Sequence, residues 1–160
     1  MHPTYDAALH VIRTSFALLD ESLDGLPDAA LEWTPVSGTN SLTVLCVHGL
    51  TSTQFWVAAA AGLKPDRGEF IEHVRGDAFR ARGATVANLR AEIARTEAEL
   101  AETLAHGDDA ALRAEMPWED FGWHGTGAEA LIVSTAHLRE HVGQAQLMRD
   151  LWLAASREGR

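Results

Sequence analysis

His137 and His141 stand four residues apart in His137-Leu138-Arg139-Glu140-His141. On a helix that spacing is a rotation of only ~40° and about one turn of rise. Two imidazoles so placed can share a metal ion, because neutral ring nitrogen is the commonest protein ligand for transition metals. At ~100° per residue, Ala130, Val133, Ser134, Gln144, Met148, Leu151 and Trp152 fall within ~60° of His137, so the pair is expected on an inward stripe. Arg139, Gln146 and Asp150 fall on the opposite, solvated side. The same arithmetic sets His48 beside Val44, Leu45, Ser52, Phe55 and Ala59 on another helical stretch. If those two helices are neighbours, His48, His137 and His141 make a three-histidine site with a fourth position left for water or substrate. That is the ligand count of a catalytic centre, and three imidazoles suit zinc, nickel, copper and iron alike. The competing reading is three hydrogen-bonded core histidines.

Further residues around this trio are candidates for catalytic roles. Glu140 makes the segment read H-x-x-E-H, the inverted zinc-protease pattern in which the glutamate is a general base. That pattern needs another protein ligand well downstream, and only 19 residues follow His141, so the trio with His48 is preferred. Gln144, one turn past His141, and Ser52, one turn past His48, can each orient a ligand or fill a polar core position. His2, His10, His73, His106 and His124 fall near the N-terminus or in connections and read as surface groups, with His124 nearest to bordering the site. Cys46 lies ~200° round from His48, away from the trio.

Four helical stretches must position these side chains. In the first, Tyr5, Leu9, Ile12, Phe16, Leu19 and Leu23 form one apolar stripe that Gly25-Leu26-Pro27 ends. The second follows Gly38-Thr39-Asn40-Ser41, where Asn40 or Ser41 can cap, and runs from Leu42 to about Ala61. It is nearly apolar all round, so both sides must be covered by the bundle or partly by another subunit. The third opens near Thr85 and is amphipathic, and the fourth opens at Thr126 with the capping-box partner Glu129 and continues to about Trp152. The link from Pro65 to Gly83 has the pattern of a short extra helix, and Met116 to Gly125 reads as a brief extended excursion or an ordered loop. The expected fold is an all-α four-helix bundle, one domain over residues 1–156 with a frayed tail at 157–160.

Composition supports one folded domain: 160 residues, 46% apolar and 22% charged. Thirteen basic against 23 acidic residues give a net charge of -10, so nucleic acid and anionic membrane are poor partners and a small molecule is the expected substrate. The lone Cys46 excludes an intramolecular disulfide and a multi-cysteine zinc site. With no signal-like N-terminus, and with the longest apolar run, near Phe55 to Leu63, short of the ~20 residues that span a bilayer, a cytoplasmic location is expected.

Asn40-Ser41 followed by Leu45 and His48, the segment His137-Leu138-Arg139-Glu140-His141-Val142-Gly143-Gln144, and Trp33-Thr34-Pro35 ahead of the second helix together resemble the DinB-like four-helix-bundle metalloenzymes. The resemblance extends over nearly the whole chain. It implies a bundle, often dimeric, whose three histidines hold a divalent metal such as zinc or nickel. Similar proteins include transferases and isomerases that use a low-molecular-weight thiol. The resemblance therefore implies a metal-dependent S-transferase conjugating such a thiol to an electrophile. A metal-binding or stress-associated bundle without turnover and a three-histidine metallohydrolase are the alternatives.

Overall fold

Pro3 pre-sets the first helical turn, and His2 caps it by accepting a hydrogen bond from the Thr4 amide through Nδ1 at 3.1 Å. Helix α1 then runs Pro3–Glu21 and buries the stripe from Tyr5 to Leu19. Ser41 caps α2, Leu42–Ala60, by accepting from the Val44 amide at 3.3 Å. Thr85 does the same for α5, Val86–Ala105, accepting from the Asn88 amide at 3.1 Å. Thr126 and Glu129 form the reciprocal capping box ahead of α6, Gly127–Glu158: the Thr126 amide donates to Glu129 Oε2 at 2.6 Å and the Glu129 amide to Thr126 Oγ1 at 3.3 Å. The computed structural model describes residues 1–118 and 122–158.

The long helices close a four-membered ring in which α2 packs on α6, α6 on α1, α1 on α5, and α5 back on α2. The core fills the space between them, with Ile12, Phe16, Leu50, Leu104, Leu131 and Leu138 all essentially removed from solvent. Tyr5 ties the start of α1 to the far end of α2, its hydroxyl lying 3.0 Å from the Ala60 carbonyl oxygen and 2.7 Å from that of Asp108. The all-α bundle expected from periodicity is what the chain forms.

Four details refine the sequence reading. The Pro65 to Gly83 link is helical in three pieces: α3, Arg67–Glu69, a π-helical turn over Phe70–Val74, and α4, Arg75–Arg80, which packs on α2. The segment before α6 is a hairpin, β1 Glu115–Trp118 paired antiparallel with β2 Trp123–Thr126, and Glu119, Asp120 and Phe121 lie outside the described residues. Helix α6 continues to Glu158, past Ser156 where fraying was expected, and residues 159 and 160 are again outside the described set. Asp28–Glu32 forms a 3-10 turn that periodicity did not reveal.

The all-apolar α2 is covered by its own chain, so its composition alone requires no second subunit. This helix is long and apolar enough to cross a membrane by length and composition, contrary to the short-run estimate made from uninterrupted apolar residues, but 78% of it is buried inside the bundle. The exposed large apolar side chains include Val11 on α1 and Ile132, Val133, Leu147 and Leu151 on α6. Val133 and Leu151 were expected on the inward stripe. The buried face of α6 instead runs through Leu131, Ser134, Leu138, Val142 and Ala145, which places the histidine pair at its margin.

Candidate metal centre

The α2–α6 contact brings the three predicted histidines together. His48 comes from the middle of α2, and His137 and His141 from successive turns of α6. Gly49 faces α6 at this contact, where a Cβ would sit in ordinary van der Waals contact with His141 Cβ at 3.6 Å and Leu138 Cδ1 at 3.8 Å. His48 and His141 are 5% and 8% exposed, whereas the His137 side chain keeps 34% of its surface in solvent.

All three rings aim Nε2 at one point. His137 Nε2 lies 3.2 Å from His48 Nε2 and 3.1 Å from His141 Nε2. Ligands at ~2.0–2.1 Å around a tetrahedral ion stand about 3.3–3.4 Å apart, so this separation fits a shared metal within a few tenths of an ångström. Among the described residues these three form the group of metal-ligating side chains able to hold an ion.

Protonation agrees with that geometry. Burial, followed by the neighbouring His141 and His137 and by Arg75, pushes the His48 pKa down to about 4. Burial and His141 also lower His137, with Glu140 acting in the opposite direction. Both rings are therefore neutral at pH 7, the form in which imidazole is a ligand. His141 Nδ1 lies 2.9 Å from Gln144 Oε1. An amide oxygen only accepts, so Nδ1 carries a proton and Nε2 is the ring nitrogen turned to the cluster. His48 Nδ1 is buried with no hydrogen-bond partner.

The other sequence candidates occupy different positions. Gln144 touches the site directly through His141, although its side chain is otherwise exposed. Glu140 is 73% exposed, with Oε2 3.8 Å from His137 Nδ1, on the side of the ring away from the convergence point. Ser52 is buried one turn along α2 and is not part of the histidine cluster. Cys46 is fully buried, and burial pushes its thiol up to about 12, which removes it as a nucleophile. His10, His73, His106 and His124 are exposed, as expected, and His2 serves as a helix cap.

Two residues of the link belong to the site although nothing in the sequence paired them with it. Phe79 of α4 lies against His48 with ring centroids 4.4 Å apart, and the Arg75 guanidinium sits 5.4 Å from the Phe79 ring centroid. No carboxylate among the described residues pairs with Arg75, unlike Arg80, Arg90 and Arg95. The π-helical turn is the local irregularity that precedes this pair, a feature often found near functional sites.

Residues 12–145 match the sequence pattern of the DinB superfamily. Among solved structures, a conserved protein from Enterococcus faecalis superposes with a TM-score of 0.75 over 96% of this chain and 99% of that one, at 18% identity, a likeness of fold. No curated protein matches the chain in sequence.

Proposed function

The chain belongs to the DinB superfamily, and from that premise we propose that it is a metal-dependent S-transferase joining a low-molecular-weight thiol to an electrophilic small molecule. The observation that carries this reading is the convergence of three Nε2 atoms at 3.1–3.2 Å beside a His137 that remains 34% exposed. His48, His137 and His141 would hold zinc or nickel, with solvent access left for a further ligand. When bound, a divalent ion there keeps a thiol ionised near neutral pH.

The chain's own residues supply the rest. With an ion bound, the three imidazoles would each offer the Nε2 lone pair and carry no proton there. Gln144 fixes the His141 tautomer, and Phe79 shields His48 from water. A hydrolytic reading would need Glu140 as base, and its exposed, outward carboxylate does not favour that.

The test is metal content of untagged parent and of His137→Ala, with far-UV circular dichroism as the folding control, followed by conjugation assays with cysteine or glutathione and an aryl halide. Near-stoichiometric zinc or nickel in the parent, its loss in the variant, and turnover that requires the thiol are expected. Metal without turnover favours the non-catalytic bundle, turnover without thiol favours the hydrolase, and no metal after incubation with either ion returns the histidines to the core.

The reading includes a cytoplasmic homodimer. Val11 and Ile132 expose apolar surface, 37% and 67%, beside a shallow groove between α1 and α6, and a second copy would cover it. Light scattering should give about 35 kDa, twice the 17.4 kDa chain, and Ile132→Glu should return the mass to that of one chain. A parent that runs as a monomer at all concentrations ends this part of the reading.

A further inference from the structure

Beside the histidine centre, α6 and the loop ahead of α2 border a half-open pocket of about 320 Å³. That volume is at the low end of the ~300–1,000 Å³ range of small-molecule sites. Its apolar wall is Leu45, Leu147, Met148 and Leu151, closed on the loop side by Pro35. None of its lining side chains is charged, in a chain where 22% of residues are.

Gln144 is the wall this pocket shares with the metal centre. Its Oε1 accepts from His141 Nδ1 at 2.9 Å, so its Nε2 amide is the end turned away from His141. Leu45 stands one turn before His48 on α2, and Gln144 and Met148 lie one and two turns past His141 on α6. The pocket thus continues the site along the α2–α6 seam. The larger cavity, about 540 Å³, lies by Lys64, Arg67 and the hairpin, and no residue of α6 lines it.

We propose that this pocket is a substrate subsite for an uncharged molecule with an apolar body and a carbonyl-type acceptor. The body lies against Leu45, Met148 and Leu151, and the acceptor takes a hydrogen bond from Gln144 Nε2. The proposal rests on the catalytic reading above and names the kind of electrophile that reading requires. A carboxylate ligand is disfavoured because burying it here finds no cation among the lining side chains.

The chain's three methionines allow a direct test, since Met148 lines this pocket, Met116 lines the larger cavity and Met1 is exposed. In a ¹³C-methyl-methionine NMR titration with 4-phenylbutan-2-one, the Met148 signal should shift saturably while Met116 and Met1 stay in place. Binding of 4-phenylbutanoate should be at least about tenfold weaker. Leu151→Glu, at a position already 38% exposed, should abolish the ketone response and leave zinc binding at the histidines unchanged.

A shift at Met116 alone, equal binding of the carboxylate, or no shift at Met148 would overturn the subsite. So would a Met148 signal that moves with protein concentration in ketone-free samples, because a second copy would then cover the pocket. Zinc titration and thiol-dependent turnover are read separately. A saturable Met148 shift without turnover sustains the subsite while the transferase reading fails, and the reverse result separates them the other way.

Discussion

At the scale of single residues, the centre is three imidazoles, two of them held below the usual imidazole range, with one cation nearby. The positive charge of Arg75 acts on both His48 and His137, in the direction that opposes a further cation. Because Arg75 is exposed, its influence is screened by water and salt. Arg75→Met should therefore raise zinc affinity by about threefold at low ionic strength, and the gain should shrink in high salt. Competition titration with a zinc indicator measures this, and equal affinities at low salt would mean that the guanidinium is not felt by the site. The three ligands were legible in the sequence because i, i+4 spacing and facing arithmetic depend only on helix geometry. Arg75 and Phe79 were not, since their place depends on how the irregular helical stretch Arg67–Arg80 folds back across α2, which no periodicity encodes.

At the scale of elements, the start of α6 shows how caps and close packing divide the work. The Thr126–Glu129 capping box was readable from residue types three apart. The neighbouring Gly127 carries no comparable signal in the sequence, yet a Cβ there would lie 2.3 Å from the Ala111 carbonyl oxygen and 3.3 Å from that of Ala60. Only a residue without a side chain lets α6 start against the Ala111 carbonyl of the turn that follows α5, and that contact is visible only in the fold. Thr126→Ala should cost about 1 kcal/mol, whereas Gly127→Ala should cost more, about 2–3 kcal/mol, because the obstruction is backbone and cannot swing aside. Urea denaturation of the two variants ranks them, and a Gly127→Ala protein as stable as the parent would show that the packing of the start of α6 on the Ala111 turn is looser than described. The hairpin before α6 was half legible: an extended excursion was one of two readings, beside an ordered loop, and strand pairing between Glu115–Trp118 and Trp123–Thr126 is a register that four-residue runs do not announce.

At the scale of the whole molecule, the centre ties stability to pH. An imidazole titrates near 6.5 in the unfolded chain, and His48 is held near 4 in the folded one. The unfolded state therefore binds the extra proton first. The contribution of neutral His48 is complete above pH 6.5 and is lost as pH falls toward 4. Between pH 7 and pH 5 the loss is on the order of 2 kcal/mol, or about 4–8 °C in Tm for a chain of this size. His137, lowered in the same direction, adds to it. The bulk charge works the other way, because acid moves the net charge of -10 toward zero and relieves self-repulsion. His48→Gln separates the two effects, since it removes the buried titration and leaves the acidic surface intact. In metal-free protein, the Tm of the parent should fall more steeply than that of the variant from pH 7 to pH 5. Zinc should steepen the parent's dependence further, as protons compete for the same nitrogens. Parallel curves in the metal-free proteins would assign the acid sensitivity to surface carboxylates and leave His48 without its proposed electrostatic role.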